Sequence, residues 1–325
     1  MSQLSITRTR TNGFDSIHVH TGVVELIFIP ELGGKISSLR DTRTGREWLW
    51  RHPRLPYKRV SHGSSYVREA DTGGWDECFP SVSACEYPSA PWQGAAIQDH
   101  GELWSQSPVF EIEEHAGSAA IRTTWQGNAL PYTFTRTIHL AAGSACLRVD
   151  YGVMSQSDQP INFVWCIHPL LAIGPGMELR LPPAARFNVA GSFPSDLLSS
   201  NIVSGYPFSA SGLDLPRLPA RDAGISLKIW SDPLPADAAW AALAARDGEL
   251  RMRWDASLLP QLAVWMNLGA WAGDGGTPYF NLGLEPCIGA QDSLADAVTQ
   301  YGVYASLAPR ESKAWWLEID LSGPV

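Results

Sequence analysis

Apolar and polar positions alternate with a period of two along much of this chain, the spacing that places like side chains on one face of a β-strand. Phe134, Arg136, Ile138 and Leu140 share one such face, Leu147, Val149, Tyr151 and Val153 share another, and Ala141–Ser144 lies between them as a turn. The pattern predicts a hairpin. A second is predicted from Trp240–Arg246 and from Leu250, Met252 and Trp254, because Asp247-Gly248 supplies the positive φ angles of a tight turn. The alanines of its first arm are also compatible with a short helix. Val24–Ile29 and Ile36–Leu39, parted by Pro30 and Gly33-Gly34, read as another pair, and Thr44-Gly45 turns the chain again before Trp48 and Trp50. Short runs separated by Gly, Pro and Asp continue towards the C-terminus. No long amphipathic helix and no internal repeat interrupts them, and Leu213–Gly224, with Pro216 and Pro219, reads as a surface connection. The expectation is an all-β chain of large stacked antiparallel sheets with few short helices, residues 1–325 forming a single domain.

Composition narrows the class. A length of 325 residues suits one large sandwich or barrel, which can bury a core without staples. A net charge of −9 argues against a nucleic-acid partner, since affinity for phosphate backbones comes from clustered Lys and Arg releasing counterions. Neither end has a charged segment leading into an apolar stretch of roughly 7–15 residues, and no apolar run nears the roughly 20 of a membrane span. A cytoplasmic protein with no membrane partner is therefore expected. The five cysteines, Cys78, Cys85, Cys146, Cys166 and Cys287, are odd in number and scattered without a C-x-x-C pair, and they read as reduced thiols.

Three stretches hold an ionisable side chain in a restricted backbone setting: Asp99-His100-Gly101, Ile167-His168-Pro169 and Leu284-Glu285-Pro286. A residue before proline is pushed into extended geometry, so His168 and Glu285 are expected to project from strand ends. His168 follows the apolar run Phe163–Ile167, where a histidine needs partners. Taken alone it reads equally as a core histidine satisfied by hydrogen bonds. Glu285 follows Tyr279, Phe280, Leu282 and Leu284, and is either half of a structural ion pair or a functional group, because unpaired buried glutamates are rare.

The order of an HG pair at His100, an HP pair at His168 and a late LEP at Glu285 resembles the aldose 1-epimerase, or galactose mutarotase-like, superfamily. Pro30-Glu31-Leu32-Gly33-Gly34-Lys35-Ile36-Ser37-Ser38-Leu39 and Thr44-Gly45-Arg46-Glu47 are similar to its N-terminal strands. Gly73-Gly74-Trp75-Asp76-Glu77-Cys78-Phe79-Pro80 resembles the GGW-[DE]-E-x-FP stretch of a less characterised branch. The resemblance runs from Val24 to Asp296. It implies a β-supersandwich whose concave face binds a monosaccharide, with Glu285 as base, His168 as acid and His100 as a second histidine gripping the ring. Where the galactose and hexose-phosphate branches usually carry an arginine shortly after the HG pair, this chain reads Glu102-Leu103-Trp104, which leaves the sugar open.

These residue types suit the implied reaction. A carboxylate with a reference pKa of about 4.3 accepts a proton from an anomeric hydroxyl, while an imidazole at about 6.5 delivers one to the ring oxygen. Opening and reclosing the ring demands no metal or organic cofactor. Trp75, Trp104 and Trp165, nearest the motifs, offer flat surface to a sugar face, although tryptophan is highly buried on average. Arg68 and Lys35 are candidates to hold a hydroxyl, carboxylate or phosphate, with surface charge as their plain reading. Asp71 and Asp76 are candidates to orient a histidine or bind a hydroxyl, with turn chemistry as theirs. Three rivals stand beside this reading. A zinc hydrolase would use His100, His168 and Glu285, without an H-E-x-x-H motif. A non-catalytic carbohydrate-binding or sensing protein would share the fold. A glycoside hydrolase or polysaccharide lyase would need a second carboxylate from Asp76, Glu77 or Glu102. The expected partners are a monosaccharide substrate and at most a second copy of the chain, as a monomer or homodimer.

Overall fold

A computed structural model describes residues 4–322 apart from 184, 196, 198–201, 204, 205, 207, 208, 211, 212, 215, 220–222 and 274. The hairpins form where the alternation placed them. Tyr132–Ala141 pairs with Cys146–Ser155, Phe134 standing opposite Val153 and Ile138 opposite Val149. Trp240–Ala245 pairs with Gly248–Trp254 as strands, not a helix: alanine's helix preference is weak beside a full ladder on a neighbouring strand. Val24–Ile29 likewise pairs with Lys35–Asp41.

Among the described residues these elements belong to two large antiparallel sheets. One has eight strands and contains both of the first two hairpins with Ser312–Ser322 between them. The other has twelve, and its middle runs in the spatial order Gly74–Cys78, Trp165–Ala172, Phe280–Ile288, Gln261–Leu268, Ile225–Ser231 and Phe187–Phe193. Between the sheets Phe134, Tyr151, Trp165 and Trp315 pack with ring centroids 4.7–6.1 Å apart. Arg136, on the apolar face of its strand, is fully buried there. It donates to Glu77 Oε1 at 3.0 Å and to the Gly34 carbonyl, and its guanidinium lies over Trp125 and Phe28.

The two proline motifs correct one expectation. His168 and Glu285 lie inside the strands Trp165–Ala172 and Phe280–Ile288, not at their ends. Proline inside a central strand removes a ladder hydrogen bond and is normally excluded. Here Cys166 pairs with Cys287 and Leu170 with Gly283, while the three positions between them make no ladder pair. Pro169 and Pro286 fall in that opening, so the strands run on without the missing donors.

The helices are short turns such as Tyr66–Ala70 and Leu294–Asp296, and no helix among the described residues is long and apolar enough to cross a membrane. Residues 215 and 220–222 of the predicted Leu213–Gly224 connection lie outside the described residues; in the rest Leu218 is buried, so that part is packed rather than wholly on the surface. All five cysteines are free thiols.

Candidate active site

Strand register assembles the site. Asp76 stands opposite His168, Glu285 opposite Ala263, and Ala263 opposite Trp230. Continuing the pairing of Cys166 with Cys287 and of Leu170 with Gly283 sets His168 opposite Glu285 across the gap in the ladder. Five strands therefore contribute one row, Asp76, His168, Glu285, Ala263 and Trp230, on the face turned away from the second sheet. His168 Nδ1 lies 2.8 Å from Glu285 Oε1. With only alanine at 263 on the strand between them, the Lys228 ammonium reaches across and donates to Glu285 Oε2 at 2.5 Å. It also lies 3.6 Å from Asp292 Oδ1.

Charge on Glu285 is set by opposing effects. Full burial favours the neutral acid, but the Lys228 ammonium and the His168 hydrogen bond outweigh it and hold the carboxyl down to about 2. Burial likewise opposes charge on Lys228, yet the Asp292 and Glu285 carboxylates push its pKa up. His100 is held by an unusual backbone: its φ is 58°, in the left-handed region, and Gly101 follows at 68°. A Cβ at 101 would sit 2.1 Å from the Phe79 carbonyl oxygen, so only glycine allows this close crossing. The His100 ring stacks on Tyr66 at 4.0 Å and stands 4.9 Å from the His168 ring. Burial opposes its protonation, but Asp99 beside it raises its pKa.

His100, His168 and Glu285 line a cavity of about 280 Å³. Trp265, Trp271 and Tyr279 form an aromatic wall, Trp271 meeting the other two edge to face at 5.8 and 5.4 Å. Asn281, four residues before Glu285 on the same strand face, also lines it and is fully buried with neither amide atom hydrogen-bonded among the described residues. Asp71, Asp99 and Asp292 complete the polar lining, and burial pushes the Asp71 carboxyl up.

Several residues singled out from the sequence lie elsewhere. Trp75 lies one residue from Asp76 and Trp165 three from His168, odd offsets along their strands, so the period of two turns both into the core between the sheets. Arg68 is exposed and does not line the cavity. Lys35 and Asp76 are buried as an ion pair, Tyr66 donating to the same Asp76 oxygen at 2.8 Å. With Trp104, whose Nε1 donates to the Asp99 carbonyl, they line a separate cavity of about 100 Å³. Glu77 faces Arg136 in the core, and Glu102 accepts bonds from the Asn128 and Ala129 amides and the Tyr132 hydroxyl. Neither supplies a second carboxylate. Lys228, Trp265, Trp271, Asn281 and Asp292 were missed, because no unusual neighbour marks them in the sequence. Among the described residues, a set placed for a soft cation is Cys78, His100 and His168, whose ligand atoms lie within 4.8 Å of one another, rather than the His100, His168 and Glu285 of the zinc-hydrolase rival.

No protein-family profile matches the chain, and no curated protein sequence does. Solved structures do. A candidate aldose 1-epimerase from Klebsiella pneumoniae superposes with a TM-score of 0.74 at 15% identity, covering 99% of this chain and 83% of that one. A galactose mutarotase-like protein from Clostridium acetobutylicum gives 0.68 at 14% identity over 98% and 99%. Another from Lactobacillus casei gives 0.61 at 17% over 94% and 99%. The chain has the galactose mutarotase-like fold, an all-β sandwich of large antiparallel sheets.

Proposed function

We propose that this protein is an aldose 1-epimerase, a mutarotase that interconverts the α and β anomers of a monosaccharide or sugar derivative. The observation that carries the reading is the His168–Glu285 contact at the floor of a sugar-sized cavity with an aromatic wall. Glu285 takes the proton of the anomeric hydroxyl. His168, whose Nδ1 is engaged by the carboxylate, presents Nε2 and gives a proton to the ring oxygen. The C1–O5 bond breaks to the open aldehyde, rotation about C1–C2 exposes the other carbonyl face, and the same groups run backwards to close the ring. A carboxylate held near 2 is a weak base, so transfer to Glu285 has to be concerted with donation from His168. His100 grips the ring beside the reacting centre, and no metal or organic cofactor takes part in these steps. Cytoplasmic location belongs to the same proposal.

The test is two-dimensional exchange NMR on equilibrated aldoses, which reads anomer interconversion directly. Wild type should exchange anomers of at least one sugar, and Glu285→Gln and His168→Asn should each lower kcat by about 10²–10⁴-fold, the usual contribution of positioned acid–base groups. A second reading, a carbohydrate-binding or sensing protein of the same fold, is favoured by one observation. Glu285 is fully buried and both its oxygens are already bonded. Binding without anomer exchange in wild type would select it.

A further inference from the structure

Beyond Glu285 the row of side chains does not stop. Ala263 is followed by Trp230, and Trp230 stands opposite Asn188 on the next strand. There the face opens into a second cavity of about 790 Å³, more than twice the first, with Ser83 and Asp292 as a wall common to both. Gln261, on the same face of the strand beside Glu285, lines this second cavity. It is 5% exposed, and its Oε1 has no hydrogen-bond partner among the described residues. A buried acceptor left unbonded is destabilising unless a ligand or solvent donor meets it. Tyr301, 55% exposed, stands at the rim.

The charges around this cavity select among ligands. Asp232, Asp292 and Asp296 line it, and among the described residues no Lys or Arg does. Among the described residues the Lys or Arg lining the first cavity is Lys228, and both Glu285 and Asp292 already draw on it. A phosphate, sulfate or carboxylate would meet repulsion with no free guanidinium or ammonium to offset it. Hydroxyl groups, which donate to carboxylates and to an amide oxygen, fit all of these partners.

We propose that the substrate is the reducing end of a neutral oligosaccharide: its terminal ring lies at His168 and Glu285, and the next sugar unit occupies the cavity lined by Trp230, Gln261 and Asn188. This deepens the mutarotase reading and rests on it for the position of the reacting ring. The second unit is linked through a hydroxyl other than the anomeric one, which stays free to react.

The test compares neutral disaccharides of several linkages with their own reducing monosaccharides and with glucose 6-phosphate, by exchange NMR for turnover and calorimetry for binding. At least one disaccharide should show kcat/KM about tenfold or more above its monosaccharide, and glucose 6-phosphate should fall below glucose. Asn188→Trp, a change at an exposed rim position, projects an indole into the second cavity and should abolish the disaccharide gain, lowering kcat/KM for the disaccharide about tenfold or more beyond any change for the monosaccharide. Gln261→Leu should reduce the same gain. Equal rates for all neutral sugars, a gain that survives Asn188→Trp, or preference for the phosphate would overturn the inference and leave the mutarotase reading standing. If wild type turns over no sugar, the mutarotase reading fails, and calorimetry decides this one. Disaccharide binding about tenfold tighter than monosaccharide, lost in Asn188→Trp, upholds the second subsite, and equal or absent binding overturns it.

Discussion

Lys228 determines what kind of acid Glu285 is. Burial alone would neutralise the carboxyl, and the ammonium across the alanine gap reverses the sign. If Glu285 is the base, activity should hold as pH falls until the carboxylate begins to protonate near 2. Lys228→Met removes the largest favourable interaction, so the acid limb of the kcat/KM profile should move upward by roughly a pH unit or more. A limb that stays in place would show that another group is titrating. The same shift couples to stability. The folded-state pKa lies below the ordinary carboxylate value of 4.5, so the ionised group stabilises the fold above that pH, and the contribution is lost as pH falls towards 2. Denaturant titrations between pH 5 and pH 2 should therefore show wild type losing a stabilising contribution that Lys228→Met largely lacks. At this scale the sequence was informative where a neighbour restricts the backbone, as with Pro169, Pro286 and Gly101. It was silent at Lys228, Asn281 and Asp292, whose neighbours are ordinary.

Element geometry explains the rest of the pair. Two prolines in adjacent central strands are tolerated because they sit in one shared break of the ladder, and that break is where His168 and Glu285 face each other. Gly283, two residues before Glu285, keeps the space beside the carboxylate open, since a Cβ there would lie 2.8 Å from Glu285 Oε1. Gly283→Ala meets the bonded end of the Glu285 side chain and, at 3.3 Å, the Trp265 Cβ in a fully buried strand, so it should still fold but lose about 1–3 kcal/mol in urea unfolding, the usual cost of an added methyl in a packed interior. The displaced carboxylate should nevertheless lower kcat by about 10–100-fold, because misplacement by about 1 Å is expensive for positioned groups. A variant with unaltered kcat would show that the position of Glu285 Oε1 is not critical. Strand parity also explains the tryptophans. Trp75 and Trp165 are each close in sequence to a site residue, but an odd offset along a strand points a side chain through the sheet, whereas Trp265, far from His168 in sequence, arrives on the correct face.

At the scale of the molecule, the sheet that carries the site is held against the second sheet by apolar packing and by a buried ion pair. Arg136 comes from the eight-stranded sheet, and Glu77 lies on the strand that also carries Asp76. Burial pushes the Glu77 carboxyl up to about 7 in spite of Arg136 and the Tyr151 hydroxyl, so the desolvation cost is large. Arg136→Ala would leave that carboxyl without its cation and should cost about 3–5 kcal/mol in urea unfolding, the usual result of breaking such a pair from one side. A loss under about 1 kcal/mol would mean that aromatic packing alone joins the sheets. What the sequence by itself determined was local: strands, hairpins and the restricted settings of His100, His168 and Glu285, all encoded within a few residues by alternation, Gly and Pro. Which side chains share a cavity was decided only in three dimensions. The order of the central strands is not their order along the chain, and each pairing register assigns every side chain to one face or the other. Lys228 meets Glu285 across 57 residues, and Glu285 meets His168 across 117, distances over which no local pattern carries information.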